Sequence, residues 1–207
     1  TISLLLDGDA GQLNKEQDDF LKKGYEINER MIKLVSDLLN AARIEEGRFG
    51  YDFKDMDLED FLGSLIGNYR EVAKGKSLNL IFNKKAKNLP RIYADPEKLS
   101  LALNNLLDNA LKYTPAGGSV TLQLGSQGNY ALISISDTGV GIPSTEQQRV
   151  FSKFFRASNV IRLETEGTGL GLFIVKNIIR RHGGEISFSS KEGAGTVFSV
   201  TLPLKKE

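Results

Sequence analysis

Cysteine is absent from the 207 residues, which excludes disulfides, thiolate nucleophiles and cysteine-ligated zinc and leaves nothing that calls for an oxidising compartment. A reducing cytoplasm fits. No apolar run approaches the roughly 20 residues that cross a bilayer, and the basic-then-apolar pattern of a signal peptide is missing. Charge of one sign is not in excess either: 27 basic and 26 acidic side chains leave a formal +1. That balance gives no electrostatic footprint for nucleic acid or an anionic membrane, so any phosphate binding has to be local. Histidine occurs once, at position 182. What is present is ordinary globular composition, 40% hydrophobic and 26% charged, enough for one full domain and a smaller element. A chain that opens on Thr1 rather than Met is expected to be a fragment or a processed product.

Periodicity divides the chain. Residues 16–47 contain no proline, and Phe20, Ile27, Leu34 and Ala41 recur every seven residues, with Leu21, Met31, Val35, Leu38 and Leu39 widening the stripe. One long amphipathic helix is predicted, in which Gly24 costs about 1 kcal/mol relative to alanine. The preceding "DGDAGQLN" supplies glycines and N-capping types, so residues 1–6 read as the end of an earlier helix and the segment as the turn of a helical hairpin. The stripe either builds a bundle or dimer, or packs on the domain that follows.

After residue 50 the pattern becomes α/β. Residues 58–72 read as a shorter helix, "SLNLIFN" and "RIYA" as strands around a lysine-rich turn, and residues 95–113 as a strong helix. Asp95 is a good N-cap, Pro96 takes the first helical position, and Leu99, Ala102, Leu103, Leu106 and Ala110 form a buried face. A hairpin of "SVTLQLG" and "YALISIS", a helix near 170–181, and the strands "EISFSS" and "TVFSVTLP" complete the list. Hairpins mixed with helix-linked strands predict an α+β fold, a two-layer α/β sandwich with a mixed sheet on about three helices, preceded by the long helix. The expected domains are 1–50, part of a helical hairpin, and 51–207, the α/β body.

Three polar clusters carry candidate chemistry. Gly167, Gly169 and Gly171 open a helix, but no strand precedes them as a dinucleotide fingerprint requires, and Leu172 and Phe173 stand where a Walker loop needs Lys and Ser or Thr. They allow positive φ or close approach to a ligand, and the helix start aims N–H groups at an anion, although glycine also serves ordinary turns. In "LNNLLDNALKYTP", Asn105, Asn109 and Lys112 share one helix strip beside the apolar face. An asparagine oxygen suits Mg²⁺ and a lysine suits phosphate; a solvated polar face is the alternative. In "ISISDTGVGIP", Asp137 ends a strand beside Gly139 and Gly141, placed either to accept a hydrogen bond from an amino group such as adenine's or to close an Asx turn on itself.

In this order the clusters resemble the ATP-binding domain of sensor histidine kinases, within the superfamily shared with DNA gyrase, heat-shock chaperone ATPases and mismatch-repair ATPases. "NNLLDNALKYTP" looks like the N box, "DTGVGIP" like G1, "FSKFFRAS" like the F box, "GTGLGL" like G2 and "GAGTVF" like the last glycine motif. "RMIKLVSDLLNAARIEEGRF" resembles the second helix of the family's dimerisation and histidine-phosphotransfer hairpin.

The resemblance implies ATP and Mg²⁺ as cofactors. Asn109 would ligate Mg²⁺, Asn105 and Lys112 would reach phosphates or ordered water, and Tyr113 would lie near the nucleoside. Asp137 would bind the adenine amino group, with Thr196 joining through water. Gly139 and Gly141 would admit adenine; Gly167, Thr168, Gly169, Leu170 and Gly171 would form the phosphate loop; Arg156 would touch the γ-phosphate. Residues 143–166 suit a lid over ATP, anchored by Phe151 and Phe154, with a mobile "RASNVIRLETE". His182, before two glycines, is expected to cap or pack rather than accept phosphate. The acceptor motif is absent from these residues, so the chain is expected to bind ATP without phosphorylating a family-type histidine of its own.

By the same resemblance the partners would be a second copy, through the N-terminal helix, and a response-regulator receiver domain, with no nucleic acid and no membrane span in this chain. The location would be cytoplasmic, any tether to the inner membrane belonging to another segment. An amide at Asn105, where hydrolysing relatives place an acidic residue, favours kinase over ATPase. A superfamily ATPase and a catalytically silent nucleotide-binding or dimerisation module are the alternative readings.

Overall fold

The computed structural model describes residues 2–8, 11–85, 89–163 and 167–205. Helix α1 (Ile2–Leu6) lies along α2 (Lys15–Glu45), a helix of 31 residues. The expected turn between them includes residues 9 and 10, which lie outside the described residues. Asn14 starts α2 with a reciprocal capping box: its Oδ1 accepts the Gln17 N–H at 2.9 Å while Gln17 Oε1 accepts the Asn14 N–H at 3.0 Å. Along α2 only Asp37 and Ala41 are buried, and Phe20, Ile27, Met31, Leu34 and Leu38 stand exposed.

From α2 the chain runs through alternating Phe49, Tyr51 and Phe53, whose rings follow one another at 5.5 and 5.8 Å. Short β1 (Lys54–Met56) pairs antiparallel with β3 (Ile92–Ala94). Between them come α3 (Leu58–Gly67), α4 (Arg70–Gly75) and β2 (Asn79–Lys84). The single helix expected over 58–72 is therefore broken at Asn68 and Tyr69. Gly67 and Asn68 are poor helix formers there, and Tyr69 turns its hydroxyl to Asp108 Oδ1 at 2.9 Å. The two strands flanking the lysine-rich turn do not pair with each other, and residues 86–88 of that turn lie outside the described residues.

Helix α5 (Pro96–Tyr113) leads into the hairpin β4 (Ser119–Gln127) and β5 (Tyr130–Asp137). A 3₁₀ turn (Ser144–Arg149), α6 (Ser158–Leu163), α7 (Gly171–Arg181), β6 (Glu185–Lys191) and β7 (Gly195–Pro203) follow. The five-stranded sheet has the order β2-β4-β5-β7-β6, antiparallel except for the parallel β2–β4 pair. Period-2 alternation sends Val120, Leu122, Leu124, Ile133, Ile135, Val200 and Leu202 to one face, where they are buried with the apolar faces of α3, α5 and α7. The expected mixed sheet on about three helices is what forms.

At the end of the sandwich remote from the glycine loop, α5 and α7 are joined. Asp95 caps α5 by accepting the Lys98 N–H at 3.0 Å and holds the linker by accepting the Asp52 N–H at 2.8 Å. Burial pushes its carboxyl up, but the backbone N–H groups of Lys98, Asp52 and Glu97 outweigh that and hold it below the usual range. The Asp95 N–H in turn donates to His182 Nε2 at 3.0 Å, while His182 Nδ1 lies 2.8 Å from the Ile178 carbonyl oxygen. A carbonyl only accepts, so Nδ1 carries the proton and the ring is neutral; burial lowers its pKa. The capping and packing role expected of this histidine is the one it plays.

Candidate functional site

At the opposite end of α5 and α7 a cavity of about 540 Å³ opens between the polar strip of α5, the end of β5, the F segment and the start of α7. That volume is of the size that takes a small-molecule ligand. From α5 it is lined by Asn105, Asn109, Lys112 and Tyr113, one strip of a single helix as the spacing predicts. Asn105 is 8% exposed and anchors its Nδ2 on the Leu101 carbonyl at 2.9 Å. Its Oδ1 faces Gly171, where an added Cβ would come within 2.7 Å of it. An amide in that position joins the α5 strip to the first turn of α7.

Asp137 marks one end of the cavity. Its Oδ1 accepts the Gly139 N–H at 2.8 Å and the Thr196 N–H at 3.2 Å. The Asx turn and the cavity-lining position are thus both present rather than exclusive. Burial pushes this carboxyl above the usual range despite the two N–H donors. Around it, Ser190 Oγ contacts Thr196 Oγ1 at 2.8 Å and accepts the Ile142 N–H at 2.9 Å, which ties the G1 turn to the last two strands. Gly141 has φ +65°, and a Cβ there would lie 2.1 Å from the Lys191 carbonyl oxygen, so the protein's own packing requires glycine.

At the other end stands the glycine loop. Gly169 has φ +67° and rests against the backbone of Phe154, where a Cβ would fall within 2.6 Å. Thr168 Oγ1 accepts the Leu170 N–H at 3.1 Å. Among the described residues no side chain caps the N-terminus of α7, whose first-turn residues Gly171 and Leu172 line the cavity and bring backbone N–H groups to it. A carboxylate at one end, amide oxygens and Lys112 in the middle and a helix start at the other form a donor set that fits an amino-bearing base joined to a metal-bound phosphate chain. Among the described residues no group of three or more His, Cys, Asp or Glu side chains could hold a metal ion, while the asparagine oxygens of the α5 strip are hard ligands of the kind Mg²⁺ accepts.

Two predicted residues do not line the cavity. Gly139 serves it by donating to Asp137, and Leu170, 2% exposed, is a core residue at the α7 N-cap. Gly167, Arg156 and Thr196 do line it. In the F segment Phe151 packs edge-on against Phe188 and Phe198 as expected, but Phe154 does not anchor anything: it is 65% exposed with φ +59°, and the neighbouring Phe155 turns inward in its place. Residues 164–166 of the segment expected to be mobile lie outside the described residues. Sequence reasoning missed Asn159, whose Nδ2 donates to the Gly141 carbonyl at 2.9 Å and ties α6 to the G1 turn. It also missed Arg30, Lys33 and Asp37, which α2 contributes to the cavity; on sequence they are polar positions of an exposed helix face.

The comparisons agree with this geometry. Residues 94–206 match the model of the histidine kinase-, DNA gyrase B- and HSP90-like ATPase family. The chain is 33% identical over 202 residues to the circadian input-output histidine kinase CikA of Synechococcus elongatus, covering 97% of this chain and 27% of that protein. It is 34% identical over 190 residues to the sensor histidine kinase WalK of Bacillus subtilis, covering 91% of this chain and 31% of that one. Among solved structures, full-length ShkA in complex with AMPPNP superposes with a TM-score of 0.79 at 27% identity, over 97% of this chain and 41% of ShkA. The chain thus spans about a third or less of the length of these two curated relatives.

Proposed function

The chain belongs to the histidine kinase-, DNA gyrase B- and HSP90-like ATPase family, and on that premise we propose that it is the ATP-binding catalytic region of a sensor histidine kinase. Its reaction is transfer of the γ-phosphoryl of Mg²⁺-ATP to a histidine outside these residues, for relay to an aspartate of a response-regulator receiver domain. The observation that carries this reading is the single cavity in which Asp137, Asn109 and the uncapped start of α7 meet.

The residues divide the work by position. Asp137 offers Oδ2 to the adenine amino group, since both backbone donors end on Oδ1. Thr196 and Tyr113 flank that end, with Gly139 and Gly141 setting the turn. Asn109 holds Mg²⁺, Asn105 and Lys112 serve the phosphates, and the loop from Gly167 through Thr168, Gly169, Leu170 and Gly171 turns backbone N–H groups on them, with Arg156 nearby. Bound Mg²⁺-ATP supplies the phosphoryl group and the charge-neutralising metal; the protein contributes orientation and electrostatics. Asn105 is an amide and cannot act as a general base for water, which supports transfer over hydrolysis. His182 is excluded as acceptor because it is buried with both ring nitrogens engaged.

In this reading residues 1–50 are part of a dimerisation and phosphotransfer hairpin and 51–207 the catalytic domain. The exposed apolar stripe of α2 supports a homodimer through that helix. No helix among the described residues is long and apolar enough to cross a membrane, which fits a cytoplasmic region whose tether, where one exists, lies elsewhere. Calorimetry with Mg²⁺ and a non-hydrolysable ATP analogue, followed by labelling of a separately supplied histidine-bearing hairpin, tests the reading. Binding with labelling is expected. Steady Mg²⁺-dependent hydrolysis without acceptor would make the chain an ATPase, and binding without labelling a silent module.

A further inference from the structure

Helix α2 places a carboxylate where phosphates are expected to sit. Asp37 is 5% exposed, lines the cavity, and its Oδ2 accepts the Thr168 hydroxyl at 3.0 Å. That hydroxyl also accepts the Leu170 N–H, so the carboxylate stands one side chain away from the first turn of α7. One helical turn earlier Lys33 Nζ meets Asp108 Oδ2 at 2.8 Å, and the other Asp108 oxygen accepts the Tyr69 hydroxyl. Further along, Glu45 pairs with Lys153 of the F segment. Among the described residues the helix is therefore fastened to the body at Lys33, Asp37 and Glu45, and the middle one is a buried carboxyl group. Burial pushes the Asp37 carboxyl above its ordinary range against the Thr168 hydrogen bond and the Lys33 charge. An amide at this position would keep the same acceptor for the Thr168 hydroxyl.

We propose that Asp37 guards the phosphate end of the cavity: its charge opposes the terminal phosphate of a nucleoside triphosphate, so docked α2 admits a diphosphate more readily, and a triphosphate seats only by breaking the Asp37–Thr168 bond. Seating the triphosphate then loosens α2 from the glycine loop, and a docked α2 weakens triphosphate binding by the same factor. The inference rests on the nucleotide reading of the site.

Calorimetry of the whole chain with Mg²⁺, ADP and a non-hydrolysable ATP analogue tests it, comparing wild type with Asp37→Asn. Asn keeps the acceptor for Thr168, so the melting temperature should not fall. The analogue should bind about tenfold tighter, the size of one like charge removed from a partly buried site, and ADP less than about threefold tighter. In wild type, hydrogen exchange of α2 amides in residues 33–41 should quicken with the analogue and not with ADP. An unchanged ratio of analogue to ADP affinity overturns the guard. Weaker analogue binding in Asp37→Asn overturns it too, by making the carboxylate a ligand of the metal or nucleotide. If wild type binds neither nucleotide, the nucleotide reading itself falls, a result distinct from an unchanged ratio.

Discussion

Helices α2 and α5 carry the same kind of apolar periodicity and meet opposite fates. α5, with 18 residues, buries eight of them, whereas α2, with 31, buries only Asp37 and Ala41 and leaves Phe20, Ile27, Met31 and Leu38 more than half exposed. The difference shows that periodicity states a helix's demand for cover without naming what meets it. For α5 the sheet meets it within the chain. For α2 the described residues leave most of the stripe uncovered, and Lys33, Asp37, Ala41 and Ile44 are among the residues that touch the body.

The largest test of that contrast is a pair of truncations. Leu103→Ala, at a fully buried site of α5, should cost about 3–4 kcal/mol in chemical denaturation. Leu38→Ala, at a site 54% exposed on α2, should change the body's stability by less than ~0.5 kcal/mol while weakening self-association in sedimentation. Equal losses of stability would erase the contrast.

Next comes the body's own ligand group. Asp137→Asn should weaken the ATP analogue by about a hundredfold in calorimetry, since the amide presents its N–H₂ to the adenine amino group. Because the folded carboxyl is raised above 3.8, folding favours protonated Asp137: its contribution is whole below pH 3.8 and is lost as pH rises through the folded value, where the buried carboxylate ionises. The Asn variant should therefore melt no lower than wild type at pH 7. A lower melting point would mean that the carboxylate holds the turn rather than waits for a ligand.

Acid provides a smaller effect confined to the body. His182 has its folded pKa below 6.5, so its contribution is whole above pH 6.5 and is lost as pH falls from there toward the folded value. Thermal unfolding should show a falling midpoint over that window, absent in His182→Gln. The smallest expected change is at the contact between the two regions. Lys33→Met breaks an exposed ion pair worth about 0–1 kcal/mol, measurable as a slight, salt-suppressed loss of protection in α2.

Local signals were legible wherever one residue type fixes one geometry. Asp95 followed by Pro96 announced the start of α5, and the spacing of Asn105, Asn109 and Lys112 placed all three on the cavity wall. Strand β1 was not legible, because Lys54 and Asp55 are exposed and only Met56 turns inward, too little alternation to register. Nor was the exchange of Phe155 for Phe154, since adjacent aromatics look alike until a left-handed φ at Phe154 decides which one turns in. The order of strands and the reach of Asp37 to Thr168 depend on contacts between distant residues, 131 positions apart in the latter case, which no local pattern encodes.

The bond from Asp95 to His182 ties the two core helices together at one end. α7 is fastened at its C-terminal end to Asp95, the N-cap of α5, and its N-terminal end, about 16 Å away at a rise of 1.5 Å per residue, adjoins the glycine loop. His182 therefore ties the far ends of two helices whose near ends line the cavity. A substitution of that imidazole should be felt at the cavity through the two helices rather than by contact, much as the fit of a drawer front depends on the joint at its back.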